Sequence, residues 1–254
     1  MKSICCFLIL MVLIASSCAP TKTVVSPSKK REIAMATLQQ GIEFYNTGKY
    51  IMALKKLLEA EKTIPQNAEL HNGLGLVYLA KDRPDLALTH FKKAIKLDPE
   101  FIDAKNNLGA VYLKLEQWDD AVKLFEEVSE NLLYATPEVP ISNLGWVYFN
   151  QKQYDKAKAY FQKALDISPN YLVPIHGLAS VYIATGYQYQ AIDFLHRMLK
   201  KSPGAAILHS DLAKAYESVN RFELAKRSWQ VVLKLEPENS PLAKEAEKRL
   251  LDLR

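Results

Sequence analysis

The sequence predicts an all-α solenoid of six helical hairpins and a C-terminal capping helix, and three recurrences predict it. Alanines at Ala53, Ala87, Ala121, Ala157, Ala191 and Ala225 are spaced by 34, 34, 36, 34 and 34 residues. Twelve residues before each stands a small residue: Gly41, Gly75, Gly109, Gly145, Ala179 and Ala213. Three residues after each of those comes an aromatic: Phe44, Tyr78, Tyr112, Tyr148, Tyr182 and Tyr216. The chain is 49% hydrophobic and 24% charged, too apolar for intrinsic disorder.

The N-terminus reads as an address. Met1-Lys2-Ser3 is followed by an apolar run of twelve residues, Ile4 to Ala15. A bilayer span takes about 20 residues, so the run fits the core of a secretory signal instead. Next comes Ala15-Ser16-Ser17-Cys18, which resembles the bacterial lipobox, with Ala15 where leucine is usual. The resemblance implies cleavage before Cys18 and lipid attachment to Cys18. With Ala19 next rather than aspartate, it also implies sorting to the outer membrane, facing the periplasm. Residues 1–17 are thus expected to be a lipoprotein signal peptide. Residues 18–33, polar and proline-containing, are expected to be a flexible tether. All three cysteines (Cys5, Cys6 and Cys18) fall in this region, so the body has no disulfide framework and no thiolate zinc spacing.

The hairpins are expected at 34–67, 68–101, 102–137, 138–171, 172–205 and 206–239. Each reads as two amphipathic helices, A and B, joined by a short turn. The small residue at the eighth position faces the alanine at the twentieth and lets the backbones approach. The aromatic at the eleventh position, with Phe91, Phe125, Phe161 or Trp229 on helix B, fills the space between units. Pro65, Pro99, Pro169, Pro203 and Pro237 end helix B in five units. The third unit departs: Leu133 stands in that place and Pro137 follows four residues later. The junction Asn131–Pro137 reads as a surface insertion, or else as a partner contact through Leu132, Leu133 and Tyr134. Finally, Ser240-Pro241 reads as an N-cap and first helical residue. It opens a capping helix over 240–254 whose Leu242, Ala246, Leu250 and Leu253 cover the last unit.

This pattern resembles the tetratricopeptide repeat over residues 34–239. The resemblance implies a right-handed superhelix with helix A lining its inner surface at positions 2, 5, 9, 12 and 13. The groove residues it implies in the first three units include Leu38, Ile42, Tyr45, Asn72, Leu76, Leu79, Asn106, Leu113 and Lys114. Trp146, Phe149, Ile183, Lys214 and Glu217 follow in later units. Family members that clamp a peptide's terminal carboxylate need Lys or Arg low in the groove. Leu38, Ile42, Asn72 and Leu76 hold those places, which excludes such a clamp. The expected ligand is an extended apolar protein segment, with asparagines pairing its main chain and apolar pockets taking its side chains.

Chemistry is absent from the pattern. The five histidines (His71, His90, His176, His196 and His209) form no i, i+4 pair around a glutamate, and His71 and His209 read as packing residues. Gly73-Leu74-Gly75 lies inside a helix and lacks the strand a dinucleotide site needs. No nucleophile elbow or phosphate loop occurs. The net charge of +5 is spread over helix faces such as Lys92, Lys93 and Lys96, without the basic-aromatic patch of a nucleic-acid binder. The expectation is a non-enzymatic scaffold with no cofactor, no metal and no small-molecule substrate. Lipobox, unit number and size resemble the type IV pilus pilotins. The resemblance implies a secretin subunit as partner, with an envelope adaptor that docks peptidoglycan hydrolases or an export machine as the alternative.

Overall fold

A computed structural model describes residues 26–253; the expected signal peptide, Cys18 and the start of the expected tether lie outside the described residues. Those residues form thirteen α-helices. The hairpins are α1 (Pro27–Asn46) with α2 (Tyr50–Glu61), α3 (Ala68–Ala80) with α4 (Pro84–Leu97), and α5 (Ile102–Lys114) with α6 (Trp118–Glu130). They continue as α7 (Glu138–Asn150) with α8 (Tyr154–Ile167), α9 (Leu172–Ala184) with α10 (Gln188–Lys201), and α11 (Ala206–Ser218) with α12 (Phe222–Leu235), before α13 (Pro241–Asp252). No described helix is long and apolar enough to cross a membrane.

Helix α1 starts earlier than expected. Residues 27–33, read as tether, are helical, because Ser26 accepts a hydrogen bond from the Lys29 amide and Pro27 occupies the first turn. The same Ser-Pro signature opens α13, where Ser240 caps the Ala243 amide.

Packing follows the repeat with one change of partner. The eighth-position glycine faces the position-24 side chain rather than the alanine at position 20. A Cβ on Gly75 would lie 2.6 Å from Phe91, one on Gly109 2.7 Å from Phe125, and one on Gly145 2.5 Å from Phe161. The position-24 side chains Leu57, Phe91, Phe125, Phe161, Leu195 and Trp229 are all fully buried. Each contributes about 1.5–3 kcal/mol of burial, so this row outweighs position 11, where Phe44, Tyr78, Tyr112, Tyr148 and Tyr182 stay half-exposed and Tyr216 alone is buried. Every hairpin turn places one residue at positive φ: Gly48, Asp82, Glu116, Lys152, Gly186 and Asn220.

Each of α3, α5, α7 and α9 touches the first helix of the hairpin before and after it, whereas no second helix touches another. That asymmetry puts the first helices in the tighter, inner layer, as the groove requires. At the C-terminal end α13 packs on α11 and α12, with Leu242, Ala246, Leu250 and Leu253 around Trp229.

Candidate protein-binding groove

The inner layer brings together some of the expected groove residues and removes others. Ile42, Asn72 and Leu76 line one cavity of about 450 Å³ with Gly73 and Phe101. Its rim carries Glu69, Asp98 and Asp103, and Gln39 donates to Glu69 at 3.0 Å. An apolar floor under three carboxylates suits an apolar side chain next to a basic one, a charge preference the sequence reading did not reach. Tyr45, Leu79, Leu113, Trp146, Phe149 and Ile183 are half-buried; each keeps some surface while packing on the core between hairpins.

Two expected groove residues are corrected. Leu38 is fully buried among Leu57, Leu70 and Leu74, because position 5 of the first helix turns into the seam with the next hairpin. Asn106 is 8% exposed for the same reason and accepts from Asn143 Nδ2 at 3.5 Å. Asn72 likewise accepts from Asn107 Nδ2 at 2.9 Å. Asn72 and Asn106, expected to pair a ligand's main chain, therefore each pair with an asparagine of the next hairpin. Position 5 of one hairpin meets position 6 of the next, and Asn107 and Asn143 are the members the sequence reading missed.

Further along, this polar ladder changes character. Between the fourth and fifth hairpins position 6 is Gly177, and Ser142 at position 5 keeps a buried hydroxyl with no partner. The ring of Phe161 occupies the space instead, 2.4 Å from where a Gly177 Cβ would be. Trp146 meets Phe161 edge-on at 5.2 Å and Phe149 at 5.3 Å, and packs against His176 at 5.0 Å. An aromatic cluster thus replaces a polar rung and fixes the indole at mid-groove. The last rung is ionisable: His176 Nδ1 lies 2.7 Å from Asp211 Oδ2.

The sixth hairpin offers no open groove at the expected positions. Lys214 pairs with Glu245 at 2.9 Å and Glu217 with Arg249 at 3.3 Å, both on α13. Lys114 in the third hairpin is also engaged, with Asp82 at 2.9 Å. At the irregular junction, Leu132 and Leu133 stand 99% and 91% exposed, side by side. One further cluster, Glu61 with His71 and His90, sits between the first two hairpins and was not foreseen as a group.

An inner row of hairpin helices stacked through small-residue seams is the architecture of a tetratricopeptide-repeat scaffold for protein–protein interaction. The tetratricopeptide repeat family model matches residues 68–101 and 141–171, and a second model of that description matches 90–123. The chain is similar to the type IV pilus assembly protein PilF of Pseudomonas aeruginosa, 26% identical over 139 residues. That match covers 55% of this chain and about half, 52%, of the relative's length. The solved structure of Pseudomonas aeruginosa pilF superposes with a TM-score of 0.64 at 21% identity, covering 86% of this chain and 98% of that one. The crystal structure of PilW, described as a widely conserved type IV pilus biogenesis factor, gives 0.70 at 18% identity, with 85% and 99% covered. At these identities the structural likeness is one of fold.

Proposed function

We propose that this chain is a lipid-anchored pilotin: a non-enzymatic scaffold, held by Cys18 to the outer membrane, that helps a secretin reach or assemble in that membrane during type IV pilus biogenesis. The observation that carries the reading is the sequence similarity to the type IV pilus assembly protein PilF, 26% identical over 139 residues, and the PilF and PilW structures share the fold. The cavity over Ile42, Asn72 and Leu76 supports a protein segment as ligand, with an apolar residue on its floor and a Lys or Arg facing Glu69, Asp98 and Asp103. The paired Leu132 and Leu133 supply a second contact, since large aliphatic side chains so fully exposed mark surfaces that a partner covers. Trp146, half-buried on α7, offers a further anchor along the inner row.

The test is an immunoblot for heat-resistant secretin multimers in outer-membrane fractions, with and without this gene. Loss of multimers while secretin monomer persists supports the pilotin reading, and a Cys18→Ala variant reproduces the loss. Unchanged multimers without the gene overturn it.

A further inference from the structure

Three helices meet on a cluster that the groove does not use. Glu61 ends α2, His71 lies in the first half of α3, and His90 lies mid-way along α4. One ligating atom from each falls within 4.8 Å of the others. His71 is fully buried. Its Nε2 stands 2.9 Å from the Pro65 carbonyl oxygen. A carbonyl only accepts, so Nε2 carries the proton and Nδ1 holds a lone pair. That lone pair faces His90 Nδ1 at 3.0 Å, and Glu61 Oε1 lies 4.0 Å from the same His71 nitrogen. The Tyr78 ring, 5.3 Å from the His90 ring and inclined by 21°, stacks on it and sets its plane.

We propose that Glu61, His71 and His90 bind a borderline-soft divalent cation of the zinc type, through two imidazole nitrogens and one carboxylate oxygen, with solvent as fourth ligand. Metal–nitrogen bonds of about 2.0–2.1 Å at tetrahedral angles put ligand atoms roughly 3.3 Å apart, close to the spacing the two imidazoles already have. Glu61 closes the remaining gap by a side-chain rotation, being at a helix end with its side chain 30% exposed. The Pro65 carbonyl is the outer partner that a metal-binding histidine characteristically has, since it fixes the tautomer that leaves Nδ1 free. The same carbonyl contact recurs at the equivalent place in the sixth hairpin, where His209 Nε2 lies 2.9 Å from the Pro203 oxygen. No such cluster of three ligands forms around His209 among the described residues. It is therefore the convergence of Glu61 and His90, rather than the histidine–carbonyl bond, that singles out this place. The bound cation would tie α2 to α3 and α4, and so lock together the two hairpins whose first helices carry Ile42, Asn72 and Leu76.

Isothermal titration of zinc chloride into the full chain in detergent tests the site, with His90→Ala and Glu61→Gln beside the parent. Neither residue is fully buried, and circular dichroism establishes that both variants are helical. The expected result is one zinc per chain at micromolar affinity in the parent, lost in His90→Ala and at least tenfold weaker in Glu61→Gln. Zinc should raise the melting temperature of the parent and not that of His90→Ala. Cobalt in place of zinc should give the intense visible bands of a tetrahedral site in the parent alone. The cysteines and the other histidines are common to all three proteins, so the difference between them reports this cluster. A parent that binds no more zinc than His90→Ala, or a Glu61→Gln variant that binds as the parent does, overturns the proposal.

Discussion

Asp211 Oδ2 lies 2.7 Å from His176 Nδ1, across the seam between the fifth and sixth hairpins. Asp211 is 2% exposed, and burial pushes its carboxyl above the ordinary range although the imidazole, and Lys214 beyond it, pull the other way. The folded state therefore holds the proton more tightly than the unfolded chain. The stability this contributes is full below the ordinary carboxylate range and is lost as pH rises through the raised value. Asp211→Asn keeps an acceptor for the imidazole N–H and removes the buried charge. It should match or exceed the parent at pH 7, by up to about 1 kcal/mol, and lose that advantage near pH 4. Urea unfolding of both proteins at the two pH values measures the difference.

Gly73 and Gly177 occupy the same position of their hairpins, yet alanine should act oppositely at the two. A Cβ on Gly73 would meet Leu57 at 3.4 Å, an ordinary contact, whereas one on Gly177 would lie 2.4 Å from the Phe161 ring. Alanine gains about 1 kcal/mol over glycine inside a helix. Gly73→Ala should therefore stabilise by up to that amount. At Gly177 overpacking of about 1–3 kcal/mol outweighs the gain, and the variant should melt lower than the parent. Two thermal melts decide it, and equal signs would show that the seam around Phe161 yields more than its burial implies.

The hairpin register was legible because it is written in steric demands that recur every hairpin. Gly75 must be small under Phe91, and Gly145 under Phe161. Other features obey spacings that no single helix shows. The rungs Asn72–Asn107 and Asn106–Asn143 join residues 35 and 37 apart, one hairpin plus a residue or so, and look from the sequence like polar side chains awaiting a ligand. Glu61, His71 and His90 come from three different helices, so a search along one helix face passes over them. Leu38 was misplaced because position 5 is shared between groove and seam, and in the first hairpin the seam takes it. The early start of α1 was written in Ser26-Pro27, the same signal that was read correctly at Ser240-Pro241.

The hairpin turns hold a reserve of stability. Lys152 adopts φ of 60° and Glu116 of 59°, at the place where Gly48 and Gly186 serve other hairpins. Left-handed backbone costs a side-chain-bearing residue about 1–2 kcal/mol, part of which glycine returns in the entropy of the unfolded chain. Lys152→Gly should then stabilise by roughly 0.5–1 kcal/mol, raising the melting temperature by about 1–4 °C. Calorimetry of the single variant, and of Glu116→Gly with it, checks both the sign and the additivity of distant turns.

Leu38 and Ile42 lie one helical turn apart on α1, and the structure assigns them different work. Leu38 is buried in the first core cluster, while Ile42 borders the acidic-rimmed cavity. Leu38→Ala should cost about 2–5 kcal/mol of stability. Under conditions where the variant remains folded, it should bind partner as the parent does. Ile42→Ala and Trp146→Ala should melt closer to the parent and each weaken partner binding by about tenfold or more, as loss of a central anchor does. Pull-down of the proposed secretin partner, scored against circular dichroism of each variant, separates the two effects. Normal binding by both Ile42→Ala and Trp146→Ala would remove the groove from the account and leave Leu132 and Leu133 as the surface to test next.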